Sequence, residues 1–321
     1  MSDIFALAIA NLTSPMILFF GLGIVAALAK SDLSIPEAVA KGMALYLMLA
    51  IGFKGGASVA AHGVDVTLAL ALVAGIALSA LIPVIAYRAL ALTTDLSRVD
   101  AAAIAGHYGS ISIVTFLAMT QALQTAGVAY EGYMVAVAAA METPAIIVAL
   151  WLAANGTRSS NPNAVREIFL NGSIVILVGA FVIGLITGEA GLQSIAAFVV
   201  DPFKGVLCLF LLDMGLIAGR GLQGARHNLK PPVVGFGIYM PLIGAALGLL
   251  AGKLIGLSVG SMALLTVLCA SASYIAVPAA MRLALPEARP SIYLPLSIGV
   301  TFPFNLTVGI PIYLYLAQAM H

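Results

Sequence analysis

Ten long apolar runs, separated by short polar or Pro/Gly-rich breaks, constrain this chain more than any other feature. In round numbers they cover 12–29, 38–57, 66–87, 101–120, 131–153, 168–187, 203–219, 232–252, 261–283 and 292–317. A helix needs about 20 apolar residues to cross a hydrocarbon core, and most of these runs reach that length. Backbone amides find no water in lipid, so each run is expected to be a helix, or a broken helix covered by protein. The runs lack the alternation of barrel strands in segments of about ten residues. Composition agrees: 62% of the 321 residues are hydrophobic and only 8% are charged. A soluble domain carries about a quarter of its residues charged. The reading is an all-α polytopic membrane protein with ten transmembrane helices. The second and seventh runs are the weakest, since both carry charge and glycine.

Charge excludes some functions and orients the chain. The net charge is +1, and Lys and Arg form no cluster of the kind that binds nucleic acid. Eleven of the 14 Lys and Arg lie in or beside the odd-numbered connections, leaving Lys54, Lys204 and Lys253 on the even side. The positive-inside rule then makes the odd connections cytoplasmic and puts both termini outside. The N-terminal MSDIFALAIA lacks the basic region of a cleaved signal peptide. Cys208 and Cys269 sit in apolar runs and read as buried free thiols.

An internal repeat divides the chain. KGMALYLMLAIGFKGG (41–56) aligns with KGVLCLFLLDMGLIAG (204–219) at a shift of 163, pairing Gly52 with Gly215 and Gly56 with Gly219. That shift also lays GHYGSISIV (106–114) on CASASYIAV (269–277), and Glu142 on Asn305. Residues 1–155 then form a first five-helix repeat, 156–167 a short cytoplasmic linker and 168–321 a second repeat. Five is odd, so the second repeat enters the membrane with opposite polarity. Inverted repeats of this kind place a substrate site near mid-membrane, where broken helices meet.

The chemistry concentrates in two short stretches. Gly106, His107, Tyr108, Gly109, Ser110, Ser112 and Thr115 interrupt the fourth run, and Ser271, Ala272, Ser273, Tyr274 and Pro278 its counterpart. Gly and Pro weaken helix continuity, and hydroxyls supply donors and acceptors. If both helices break, half-helix amides suit an anion and freed carbonyls suit a cation. Close packing of small residues is the competing explanation. Charged groups inside a membrane are costly and mark pairs or pathways. Glu142, beside Thr143 and Pro144, assembles a carboxylate, a hydroxyl and a freed carbonyl as a candidate sodium neighbourhood, with an ion pair to Lys54 or a histidine as the alternative. Asn305 adds an amide oxygen, and Ser112 and Ser271 complete the candidate sodium set. His107 reads either as a substrate contact or as a satisfied histidine near a helix end. Asp213 reads as a second cation group or as an ion-pair partner of Lys54, which in turn could attract an anion from outside. No nucleotide-binding loop, zinc-protease motif or nucleophile elbow is present, so an enzyme or an ATP-driven pump has no support.

These residues carry a resemblance. FKGG (53–56), AGHYGSISIVTF (105–116), METPA (141–145), DPFKG (201–205), LLDMGL (211–216), ASASYIAVPAAMR (270–282) and FPFNLTVGIP (302–311) span both halves. Through them the chain resembles the bacterial sodium-dependent bicarbonate transporter superfamily, which includes the cyanobacterial single-component bicarbonate permeases. The resemblance implies core and gate domains, a homotrimer in the cytoplasmic membrane, and symport of bicarbonate with sodium. It also implies an anion held at the crossing of the broken helices by Gly109, Ser110, Ile111, Ala272, Ser273 and Tyr274, largely through backbone amides. The chain departs from the cyanobacterial pattern between its halves. Those relatives carry a long cytoplasmic insertion and a PII-like inhibitory partner, whereas AANGTRSSNPNAVR (154–167) has 14 residues. Regulation by a PII-like protein is therefore in question. The expected function is sodium-driven import of a small anion, bicarbonate first. A sodium- or proton-coupled organic-anion transporter and a non-transporting anion sensor remain as alternatives.

Overall fold

The protein is described by a computed structural model over residues 9, 12–63, 66–153, 172–225, 229–274, 277–278, 280–281 and 285–321. All ten apolar runs contain helix. The elements are α1 (Pro15–Leu28), α2 (Glu37–His62), α3 (Val66–Thr93), α4 (Arg98–Gly109), α5 (Ile113–Thr125), α6 (Met134–Ala140) and α7 (Glu142–Ala153). They continue with α8 (Gly172–Ser194), α9 (Ala196–Val199), α10 (Phe203–Ala225), α11 (Pro231–Ile255) and α12 (Val259–Ala270). The final helix, α13 (Pro290–Met320), contains two π-helical stretches, Ser297–Thr301 and Asn305–Gly309. The linker expected at 156–167 lies outside the described residues.

Seven helical segments among the described residues are long and apolar enough to cross a membrane. Pro15–Leu28 and Val259–Ala270 are shorter apolar helices. Phe203–Ala225 is not among the seven, and it is the run interrupted by Lys204, Asp213 and Arg220. The segments differ in what surrounds them. The apolar window of Arg98–Thr125 is 100% buried in protein, whereas that of Val175–Ser194 is 17% buried. The polar residues of 106–115 therefore face other helices. Ile186 and Leu254, at 78% and 77% exposure, have the surroundings expected of side chains that meet lipid.

Helix pairing exchanges the two halves. The helix α2 packs most extensively on α8, and α10 on α1. Glycines set the approach in both pairs. A Cβ on Gly56 would lie 1.9 Å from the Phe181 carbonyl oxygen, and one on Gly215 would lie 2.1 Å from that of Phe20. Any side chain would force these backbones apart, which is what small-xxx-small spacing provides for. Their partners at a shift of 163 are also crowded: a Cβ on Gly219 would lie 2.6 Å from Ala27 Cβ, and one on Gly52 would lie 2.5 Å from the Leu177 carbonyl oxygen.

The broken helices keep a different register. Ser97 caps α4 by accepting the Asp100 amide, and Ser258 caps α12 by accepting the Ser261 amide. Both helices have 12 residues and end at an extended serine, Ser110 or Ser271. Every one of these boundaries is separated by 161, not 163. The second half therefore reaches its break two residues sooner than the sequence alignment implies.

Each broken helix is anchored at its capped end by the other half. The Asp100 carboxylate accepts from Ser97 Oγ (2.6 Å), the Arg289 amide (2.9 Å) and Arg289 Nη2 (2.7 Å). At the opposite break, the Glu131 carboxylate accepts from Ser258 Oγ at 2.7 Å and from Ser261 Oγ. Arg289 immediately precedes α13 and Glu131 lies just before α6, so each clamp pairs the capped start of a broken helix with a charged residue of the other half, Asp100 with a base and the two serines with an acid.

Candidate functional site at the helix crossing

The first break comprises Ser110, Ile111 and Ser112; α5 then restarts with Ser112 as its N-cap. The second begins at Ser271 and runs through Ala272, Ser273 and Tyr274. A break exposes amides and carbonyls that a continuous helix would pair internally, and these must find partners when buried. Here the two breaks partner each other. The Ser273 amide donates to the His107 carbonyl (2.7 Å), and the Ser112 amide donates to Ser271 Oγ (2.9 Å). The pairing of 107 with 273 and 112 with 271 runs antiparallel, so the segments pass in opposite directions.

His107 serves as a strut. Its Nδ1 lies 2.5 Å from the Ser273 carbonyl oxygen. A carbonyl only accepts, so Nδ1 carries the proton. The ring packs 4.7 Å from Tyr293, centroid to centroid, and Nε2 is buried with no hydrogen-bond partner among the described residues. Tyr108 makes a second strut toward α13: its hydroxyl is 2.5 Å from Thr301 Oγ1, which itself donates to the Gly237 carbonyl. Gly109 has a steric reason to be glycine, because an added Cβ would lie 2.1 Å from Pro83 Cγ.

A small cavity opens beside the crossing. Met48, Ile111, Ser112, Ile113, Glu142, Ser273 and Tyr274 line it, and its volume of about 10 Å³ admits one water-sized body. Five of these seven residues are candidates read from the sequence. Met48 and Ile113 are not, and nothing in an apolar residue of an apolar run distinguishes a cavity wall from a lipid contact. Glu142 is 6% exposed; among the described residues its carboxylate has no ion pair and no hydrogen bond. Tyr274 OH and Ser110 Oγ are likewise buried and meet no group within hydrogen-bond geometry among the described residues, Tyr274 OH facing Ser112. An unpaired buried polar group costs about 1–3 kcal/mol, so their concentration here is the property of a place built to receive a polar guest.

Other candidates fall elsewhere or have settled roles. Asn305 donates from Nδ2 to the Ala270 carbonyl (2.8 Å) and accepts at Oδ1 from Tyr313 (2.9 Å). It thereby satisfies the last carbonyl of α12. Ser271 Oγ donates to the Leu268 carbonyl while receiving the Ser112 amide. Ser112 Oγ accepts from both the amide and the hydroxyl of Thr115. Thr143 lines a different, apolar cavity with Ala139, Pro144 and Val178 and is not among the residues lining the small one. Ala272 is buried between the two serines and does not line the small cavity.

The expected Lys54–Asp213 pair is absent. The described residues contain two ion pairs, Lys230–Asp95 and Arg289–Asp100. The Lys54 ammonium instead lies 4.6 Å from the Phe203 ring centroid, and Asp213 is buried on α10 at 5% exposure. No cluster of three or more His, Cys, Asp or Glu among the described residues is placed to hold a metal ion. An alkali cation needs no such cluster, since hard cations take oxygen ligands of many kinds.

Residues 15–318 match the family described as the Na+-dependent bicarbonate transporter superfamily. No curated protein matches the chain.

Proposed function

The chain belongs to that superfamily, and on this premise we propose that it imports bicarbonate with sodium by alternating access, using the crossing of the broken helices as its site. The observation that carries the site is the small cavity. It gathers residues from both breaks around a carboxylate, and among the described residues that carboxylate and three buried polar atoms at the crossing have no hydrogen-bond partner. In this arrangement the cavity holds a sodium-sized ion beside Glu142, Ser112 and Tyr274. Bicarbonate is larger and takes its place against the amides and hydroxyls of Ser110, Ile111 and Ser273 when the surrounding helices move apart.

Energetics give sodium its task. An anion entering an inside-negative cell works against about 2.3 kcal/mol per charge per 100 mV. One sodium per bicarbonate cancels that cost and leaves the sodium gradient as the drive.

The finer architecture follows the same reading. Ten membrane-spanning helices form two inverted repeats of 1–155 and 168–321. One mobile unit carries α4, α5 and α12, and a second is built from the exchanged pairs α1–α10 and α2–α8. The termini face outward from the cytoplasmic membrane, and three copies form the assembly. The matching glycine contacts and the 161-residue register of the broken helices support the repeat.

The test is uptake of labelled bicarbonate by purified protein in liposomes. Uptake is expected with an inward sodium gradient and lost when potassium replaces sodium. Equal uptake in both salts would remove the coupling.

A further inference from the structure

A further cavity, of about 450 Å³, is built partly on the same two helices as the crossing cavity. Lys54, Lys204, Ser58, Gln121, Gln124 and Tyr130 contribute its polar lining, and none of its lining residues is acidic. Its size falls within the usual range for small-molecule sites and far exceeds that of the crossing cavity. Two helices connect the two spaces. On α2, Met48 lines the crossing cavity while Ile51, Lys54 and Ser58 line the larger one. On α5, Ile113 lines the first while Thr120 and Gln124 line the second. On α5 the spacings of seven and four residues keep the set on one helix face, whereas on α2 the set turns gradually from Met48 to Lys54, about 120° around the helix. The two helices therefore contribute walls to both spaces.

Electrostatics gives the larger cavity a sign. Lys54 is half-buried, has no carboxylate partner among the described residues, and rests against Phe203. The nearby acid Glu131 is already occupied by Ser258 and Ser261. Asp201 does not line the space. Lys54 and Lys204 also stand against the distribution of charge in the chain, where eleven of 14 Lys and Arg gather on the other side. A half-buried lysine without a partner carries a desolvation cost, and an incoming anion would offset it.

We propose that this cavity is an anion-capture vestibule, in which Lys54 and Lys204 bind a small oxyanion before it passes between α2 and α5 to the crossing. The inference rests on the transport reading for the direction of passage, but binding by the vestibule stands apart from it. Two cations in a cleft raise the local anion concentration and the capture rate, and salt screens the effect.

The experiment compares wild type with Lys54→Gln, Lys204→Gln, the double variant and Lys54→Arg, all as full chains. In liposomes, the double variant is expected to raise the half-saturating bicarbonate concentration about tenfold, in the range of electrostatic focusing, with maximal uptake within about twofold. It should also flatten the dependence of uptake on ionic strength, while Lys54→Arg retains wild-type behaviour. Unchanged half-saturation and salt dependence in the double variant would overturn the proposal. If wild type takes up no bicarbonate, the transport reading falls, and the vestibule is judged on binding alone. The thermal midpoint of purified protein is then titrated with bicarbonate, acetate and sulfate at constant ionic strength. A rise in wild type that the double variant lacks supports the vestibule; equal responses, or none in either protein, refute it. Lys204 is exposed, so its single variant carries the comparison should Lys54→Gln fail to fold.

Discussion

The two broken helices have the same length, the same serine caps and the same extended serine at the break, yet their environments differ. Behind the second, Asn305 spends its whole side chain on structure, donating to the Ala270 carbonyl and accepting from Tyr313. Beside the first, Glu142 is buried and makes no such bond. A shared backbone design thus creates the crossing, and the side chains divide its labour: one half is closed by satisfied hydrogen bonds, and the other keeps a carboxylate free. Glu142 and Asn305 align in the sequence, but only one is available to a cation without breaking something first.

The largest expected effect is the one that would break this contrast. Asn305→Ala leaves the Ala270 carbonyl and the Tyr313 hydroxyl without partners, and about 2–4 kcal/mol of stability should go with them, at about 1–3 kcal/mol per stranded group. Its thermal midpoint should fall sharply and uptake should vanish with the fold. Glu142→Gln should behave oppositely, keeping the wild-type midpoint while the sodium concentration for half-maximal uptake rises at least about tenfold, as for damage to other metal sites. If both variants lose stability equally, the division of labour is wrong.

Next come the two clamps, which test whether the halves are held alike. Asp100→Asn weakens a buried carboxylate's bonds to Arg289 and Ser97. Arg289 is 56% exposed, so solvent screening discounts the pair, and a loss of about 1–2 kcal/mol is expected. Glu131→Gln replaces bonds to two hydroxyls and should cost less, about 1 kcal/mol. Denaturant or thermal unfolding of the two variants in one detergent measures the ranking, and a reversed order would show that the partners contribute little.

The smallest effect is expected at Thr143. It is buried and lines an apolar cavity rather than the crossing cavity, so Thr143→Val should change stability by no more than about 1 kcal/mol and leave the sodium dependence of uptake unaltered. A large shift in sodium affinity would return Thr143 to the ion's ligands and sharpen the comparison in an unforeseen direction.

Legibility in the sequence follows the range of the forces involved. Apolar runs of about 20 residues are dictated by the bilayer and the backbone, so helical segments, both breaks and the paired glycines could be read along the chain. The serines flanking each break announced it because a buried helix end needs a local cap. Side-chain partners across the bundle followed no such rule. Lys54 and Asp213 are opposite charges in a membrane protein, which makes them natural partners on paper, yet α2 turns Lys54 toward Phe203. Thr143 adjoins Glu142 in sequence, but successive residues on a helix point about 100° apart, so the two line different cavities. Met48 is invisible beforehand because an apolar wall and a lipid contact use the same residues.

The sequence by itself determined a membrane protein of many helices, the positions of its two interruptions and the family to which it belongs, because hydrophobic length, helix breaking and capping act within one or two turns. Tertiary structure alone decided that the breaks satisfy one another's backbone, that Asn305 is spent and Glu142 is free, and that the register of the broken helices is 161. Those outcomes depend on which groups meet in space, across 159 and 166 residues for the two breaks and across 35 residues for Asn305 and Ala270, and no short-range rule along the chain selects such partners.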